Sequence, residues 1–181
     1  MTQLRTQALF LRIEPTIISR MRQRSILFLD AHNDSRSQMA QAVLSSLAGD
    51  RLLVRSAGIA PKPIEPLAKV VVEGIGLTLD GQVSQSARDL LGKTTFNSAI
   101  IIGCPDEEGC PKMFLGAVIR QIWQIRDPAL APEVNRLVAF RSARDDIRTR
   151  VHQWWQEQGH VTVHAGSDTP RHVLIPKPNW V

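Results

Sequence analysis

A strand-type apolar run, a seven-residue loop and the start of a helix follow one another at residues 26–39, which read I-L-F-L-D-A-H-N-D-S-R-S-Q-M. A loop of this length can point successive backbone N–H groups inward, and with the helix N-terminus these amides form a nest for an anion. Arg36 adds a bidentate donor suited to a tetrahedral oxyanion, and Ser37 would place a hydroxyl at the helix start. The alternative is an ordinary strand-to-helix loop in which Asp, Asn and Ser are turn formers.

The order of strand and then helix recurs along the chain. Strands are predicted at 25–29, 52–56, 99–103 and 119–125, and helices at 39–47, 67–75, 87–91 and 133–158. The run A-I-I-I-G at 99–103 is typical of a strand covered on both faces. The last helix has a predicted buried stripe of Phe140, Ala143, Ile147, Val151 and Trp154. This alternation predicts a three-layer α/β fold with about four parallel strands flanked by helices, and ligands of such sheets bind beyond the carboxyl ends of the strands.

Length and composition indicate a single globular domain. The chain has 181 residues, of which 43% are apolar and 22% charged, as in ordinary soluble proteins. No apolar run is long enough to span a membrane, so no membrane association is predicted. Two cysteines are too few for a secreted disulfide scaffold, and this favours a reducing, cytoplasmic location.

The two ends of the chain differ from its centre, and three parts are predicted: a basic extension at 1–23, a domain at 24–159 and a tail at 160–181. Residues 1–24 hold five arginines against one glutamate. A solvated terminus explains this more simply than nucleic-acid binding, which is not predicted. The three histidines of the tail are more typical of solvent-facing side chains than of metal ligands. From position alone, we expect a protein partner to bind through the two extensions.

The loop and four later motifs resemble, in order, the family of low-molecular-weight protein tyrosine phosphatases and thioredoxin-coupled arsenate reductases. The family's loop has the form C-x5-R-S followed by Q-M-A-E, and here residues 30–41 read D-A-H-N-D-S-R-S-Q-M-A-Q. The later matches are S-A-G at 56–58, P-L-A-K-V-V-V-E-G-I-G at 66–76, the D-P pair at 127–128 and F-R-S-A-R-D-D-I at 140–147. The resemblance spans residues 24–158 and implies the family's fold, with Asp127 as the counterpart of its general acid.

Two features resemble the arsenate reductase branch. Ala129 follows the Asp-Pro pair where phosphatases typically have tyrosine, and the chain contains no tyrosine. Cys104 and Cys110 stand where the reductases carry a redox pair, the second before a proline. In the reductases this pair passes oxidation to thioredoxin. Without the first thiol of that relay, two inherited, reduced cysteines are the favoured interpretation here, and a redox switch at Cys104 and Cys110 is the alternative.

Asp30 occupies the position of the family's catalytic cysteine, whose thiolate attacks phosphorus or arsenic. A carboxylate is a weaker nucleophile and carries a fixed negative charge where the dianion must sit. Two like charges about 4 Å apart at an effective dielectric near 20 repel by about 4 kcal/mol. We therefore expect Asp30 to pair with Arg36 and the loop amides. His32 and Asp34 also depart from the family, and His32 is expected to block close approach of an oxyanion.

These departures predict a catalytically impaired protein that acts as a binding or regulatory module. The alternatives are an active phosphatase or arsenate reductase with Asp30 as nucleophile, and a metal site formed by Asp30, His32 and Asp34. No cofactor is predicted, and an oxyanion is a candidate ligand. The degenerate catalytic residues would be Asp30, Arg36 and Asp127, and the anion-binding loop would comprise Ala31, His32, Asn33, Asp34, Ser35, Arg36 and Ser37.

Overall fold

The computed structural model describes residues 24–103, 109, 111 and 114–158. Four strands form one parallel sheet in the order β2-β1-β3-β4, with helices packed beside it, and the predicted α/β fold is confirmed. The strands are β1 (Arg24–Asp30), β2 (Leu52–Gly58), β3 (Phe96–Ile102) and β4 (Ala117–Trp123). The helices are α1 (Arg36–Ala48), α2 (Pro66–Glu73), α3 (Ala87–Leu90) and α4 (Glu133–Gln158), with short 3-10 turns at Gly49–Arg51 and Pro128–Leu130.

Strand β1 lies between β2 and β3 in the sheet. The connection from β1 leads to β2 on one side and the connection from β3 leads to β4 on the other, so the strand order reverses between β1 and β3. Asp30, the last residue of β1, pairs in register with Gly58, the last residue of β2. A crevice at such a reversal of strand order is where ligands of open parallel sheets bind. The loop after β1 therefore occupies the position in the sheet that best suits a binding site.

Both faces of the two central strands are buried. Ile26 and Phe28 pack with the core on the side of α1 and α4, whereas Leu27 and Leu29 belong to a second cluster on the opposite face. From Ala99 to Ile102, strand β3 is at most 1% exposed, which confirms the two-sided burial expected for its apolar run.

Helix α4 carries the predicted buried stripe and anchors the layer that contains α1. All five stripe residues are buried: Phe140, Ala143, Ile147, Val151 and Trp154. The helix packs against α1 and α2, and the guanidinium of Arg144 donates a 3.1 Å hydrogen bond to the carbonyl of Val71. This packing fixes the direction of α1, whose first turn closes the loop after β1.

The predicted extensions at 1–23 and 160–181, together with Cys104 and Cys110, lie outside the described residues. Among the helices that the structure does describe, none combines the length and the apolar character needed to cross a bilayer.

Candidate functional site

The loop after β1 turns its carbonyl groups outward, because surrounding donors hold them there. Backbone amides of the segment that follows β2 donate to four of these carbonyls: Ile59 to Asp30 at 3.3 Å, Ala60 to Ala31 at 2.9 Å, Lys62 to His32 at 2.9 Å and Glu65 to Asp34 at 2.9 Å. The side chain of Gln38 donates to the carbonyl of Asn33 at 3.0 Å. Since N–H and C=O point in opposite directions in a trans peptide, the amides that follow these carbonyls face the interior of the loop.

Asn33 is the residue at which the backbone of the loop reverses its direction. Its φ of 49° lies in the left-handed region, which Asn tolerates better than most residues. Its Nδ2 donates to the Ser37 hydroxyl at 2.8 Å, and its Oδ1 accepts from the Gln85 amide at 2.9 Å. These contacts hold the reversed backbone between β1 and α1.

Gly58 allows the end of β2 to approach the loop closely. A Cβ at this position would lie 2.7 Å from the Asn33 nitrogen and 2.7 Å from the His32 carbonyl carbon. Only glycine leaves room for this backbone contact. The Gly58 amide donates to the Gln85 carbonyl at 2.9 Å, so both strand end and loop are tied to the same residue.

The carboxylate of Asp30 is held inside the loop by backbone amides. Oδ1 accepts from the Asn33 amide at 2.5 Å and Oδ2 from the Ser37 amide at 2.9 Å. The side chain is 1% exposed. Because Ser37 lies in the first turn of α1, Asp30 satisfies an amide that the helix itself leaves without a partner.

The expected role of the Ser37 hydroxyl was wrong. It accepts from Asn33 instead of capping the helix, and the Ser35 side chain at the N-cap position makes no capping hydrogen bond. The capping role belongs to Asp30, because its carboxylate is already fixed at the end of the strand and lies directly below the helix start.

Burial raises the pKa of Asp30 above its ordinary value of 3.8. The amides of Ser37 and Asn33, the positive charge of Arg36 and the Ser37 hydroxyl act in the opposite direction. Removal of the carboxylate from water outweighs these favourable contacts.

Arg36 is 2% exposed and points from α1 toward the end of β4. Its Nη1 donates to the carbonyl of Ile125 at 2.7 Å, and its Nη2 lies 3.5 Å from Oδ2 of Asp127. The expected pairing of Asp30 with backbone amides of the loop is present. Arg36 acts on the Asp30 carboxylate through its positive charge. The guanidinium joins three of the predicted site residues into one cluster.

Asp127 faces the loop through Arg36 and also shapes the chain after β4. Its Oδ1 accepts from the Ala129 amide at 2.9 Å, which caps the short 3-10 turn at Pro128–Leu130. Asp127 therefore both faces the loop and stabilises the turn that follows β4.

The side chains of His32 and Asp34 do not converge with Asp30. His32 Nδ1 donates to the Ala60 carbonyl at 3.1 Å and its Nε2 accepts from Lys62 at 3.1 Å. The imidazole is therefore turned to the flanking segment. The expectation that it blocks the interior of the loop was wrong. Asp34 Oδ1 accepts from the Ser35 hydroxyl at 3.1 Å. Within the described ranges no group of three or more His, Cys, Asp or Glu side chains is placed to hold a metal ion.

Gln85 is the structural residue of this site that sequence reasoning missed. Besides its contacts to Asn33 and Gly58, its side chain donates to the Ser56 carbonyl at 2.8 Å. The neighbouring Ser84 hydroxyl donates to the His32 carbonyl at 3.3 Å. No motif marks these residues, since their contacts are formed largely by the backbone and depend on where the chain passes.

Gly109, next to Cys110 in the sequence, lies against the loop. A Cβ placed on Gly109 would be 3.8 Å from the Cβ of Ala31.

Comparisons with known proteins agree with this geometry, although no protein-family model matches the chain. The arsenate reductase of Bacillus subtilis is 31% identical over 139 residues, which are 74% of this chain and 96% of that protein. A solved arsenate reductase in the phosphate-binding state has a TM-score of 0.62 at 24% identity, covering 75% of this chain and 98% of the other. A tyrosine phosphatase of Erwinia amylovora has a TM-score of 0.53 at 17% identity, covering 75% and 93%. At these identities the two structures show a shared fold.

Proposed function

The chain belongs to the family of arsenate reductases that share the fold of low-molecular-weight phosphatases, and we propose that it is a catalytically impaired member that acts as a binding or regulatory module. The observation that carries this proposal is the carboxylate of Asp30 at the nucleophile position, with each oxygen bound to a loop amide. The family resemblance assigns this position to a thiolate.

Chemistry at Asp30 is disfavoured in two ways. An oxygen that already accepts a hydrogen bond from a fixed amide has less electron density to donate to phosphorus or arsenic. A dianion about 4 Å from an ionised carboxylate is also repelled by about 4 kcal/mol per pair of unit charges at an effective dielectric near 20. Together these effects make a covalent step at this residue slow.

The remaining machinery is engaged in structural contacts. Asp127 accepts from Ala129 with one oxygen and lies beside Arg36 with the other, so protonation of a leaving group would compete with both contacts. The loop itself keeps its inward amides and its central Asn33. This combination of an intact cradle and a replaced nucleophile supports binding as the retained function.

The position of Gly109, where an added Cβ would lie 3.8 Å from the Cβ of Ala31, supports redox control as part of the proposal. Oxidation of Cys104 and Cys110, which lie on either side of Gly109 in the sequence, would constrain the backbone at Gly109. A protein partner bound through the end segments, in the cytoplasm, completes the proposed role.

Turnover of para-nitrophenyl phosphate and thioredoxin-coupled reduction of arsenate test the proposal. We expect no turnover above background for the wild type or for Asp30→Asn. Asp30→Cys restores a thiol to the existing nest, and we expect it to gain phosphatase activity. Turnover in the wild type that survives purification and disappears in Asp30→Asn would instead show that Asp30 is an active nucleophile.

A further inference from the structure

The interior of the loop has more amide donors than Asp30 uses. The amides of Asn33 and Ser37 donate to its carboxylate. Within the described part of the chain, those of His32, Asp34 and Ser35 donate to no group, although the carbonyl that precedes each of them is held on the outer side of the loop. The loop is therefore a nest that the protein's own carboxylate fills only in part.

The charges around Asp30 do not accommodate a further dianion unless a proton is taken up. Arg36 is the cation that acts directly on this carboxylate, and it also lies beside Asp127. Asp34 also lies in the loop, but its Oδ1 accepts from the Ser35 hydroxyl and its side chain does not converge with Asp30. Lys62 donates to His32 on the outer side of the loop and does not reach the interior. Within the described residues, carboxylates thus outnumber cations at the nest.

Asp30 is the carboxylate whose surroundings favour a bound proton. It is almost completely removed from water, whereas Asp127 remains more accessible, with 11% of its side chain exposed. A protonated Asp30 gains an O–H donor while its oxygens can still accept from the Asn33 and Ser37 amides, and this O–H could bind an oxygen of a ligand held by the remaining amides. Burial, which raises the pKa of Asp30, acts in the same direction.

We propose that the loop binds a tetrahedral oxyanion together with one proton, which is held in the hydrogen bond between Asp30 and the ligand. The inference rests on the proposed function, because it requires a loop that binds and does not react. No covalent bond forms, and the proton comes from the buffer or arrives on the ligand.

Isothermal titration calorimetry with sulfate tests this coupling, because sulfate has no titratable proton near neutral pH and the proton must come from the buffer. Titrations in two buffers with different heats of ionisation give the number of protons taken up, which we expect to approach one at pH values above the pKa of Asp30 in the free protein, where its carboxylate is ionised. Above the pKa of Asp30 in the free protein, the dissociation constant should rise about tenfold for each pH unit.

Variants assign the proton to a residue. Asp30→Asn should bind sulfate without the proton uptake of the wild type and should lose the tenfold rise of the dissociation constant for each pH unit. Asp30→Ser, which places no amide group against the Ser37 amide, serves if Asp30→Asn melts early. Asp80→Asn, which removes an exposed carboxylate outside the loop, is the control and should still take up about one proton. Proton uptake that is lost in Asp127→Asn and kept in Asp30→Asn would overturn the assignment.

The two proposals fail separately. Absence of sulfate binding at every pH, or binding without proton uptake at every pH in the wild type, would overturn the proton-coupled site and leave the impaired-enzyme proposal standing. Conversely, Asp30-dependent turnover would remove the impaired-enzyme proposal whatever the calorimetry shows.

Discussion

The buried carboxylate of Asp30 predicts an unusual dependence of stability on pH. Its pKa is raised in the folded protein by burial, whereas in the unfolded chain it returns to about 3.8. Between these two values the folded state binds more protons than the unfolded state, so the free energy of unfolding falls as pH rises. The stabilisation from the protonated group is complete below the unfolded pKa and is lost as pH rises through the folded pKa.

The magnitude follows from one proton. Where the folded protein keeps the proton and the unfolded chain has lost it, the contribution of Asp30 falls by about 1.4 kcal/mol per pH unit. Asp30→Asn removes this slope. Its amide, placed against the Ser37 and Asn33 N–H groups, adds a cost that does not depend on pH. The difference between the two proteins, wild type minus variant, should therefore shrink or reverse as pH rises.

Urea unfolding from about pH 4 to about pH 7 measures that difference. The fluorescence of the buried Trp123 and Trp154 reports the transition. Subtracting the variant curve from the wild-type curve cancels the other titrating groups, and Asp34→Asn is the matched carboxyl control. A difference that is constant with pH, or a wild type that gains relative to Asp30→Asn as pH rises, would refute the reasoning.

Three further perturbations test the loop. Gly58→Ala forces a Cβ onto the backbone at Asn33, so we expect the free energy of unfolding measured in urea to fall by about 1–3 kcal/mol. Asn33→Ala removes two side-chain hydrogen bonds and leaves an alanine in the left-handed region, so the free energy of unfolding should fall by about 2–4 kcal/mol. Asn33→Gly removes the same hydrogen bonds without the backbone strain, so the free energy of unfolding should fall by about 1 kcal/mol less than in Asn33→Ala. Mass spectrometry after treatment with mild peroxide tests the redox switch. A mass lower by two hydrogens, restored by dithiothreitol, would support a disulfide between Cys104 and Cys110, and an unchanged mass would exclude it.

The sheet was predictable where apolar residues are continuous, and less so at its edge. The register with β3 places the start of β4 at Ala117, and the strand ends at Trp123, two residues before its predicted end. An edge strand exposes Val118, Ile119 and Ile122, so its sequence lacks the pattern that burial imposes on a central strand. β3 likewise begins at Phe96, ahead of the apolar run that predicted it.

The position of the loop and the contacts of Asp30 with its amides were predictable from local sequence, but the residues that support the loop were not. The loop length and Arg36 could be recognised in the chain. The direction of the His32 side chain depends on Ala60 and Lys62, which approach only after the strands pair. Sequence patterns describe neighbours along the chain, and these contacts are set by tertiary packing.

The central position of β1 has a consequence for folding kinetics. This strand pairs with β2, which follows soon after it, and with β3, which is synthesised much later, so it cannot be completed until a long stretch of chain has closed. The entropy cost of closing a long loop is incurred before the favourable contacts between the paired strands form, so topologies of this kind fold slowly. Newly made chains would therefore spend time with the apolar edge of β1 open, and dependence on chaperones is expected during that interval.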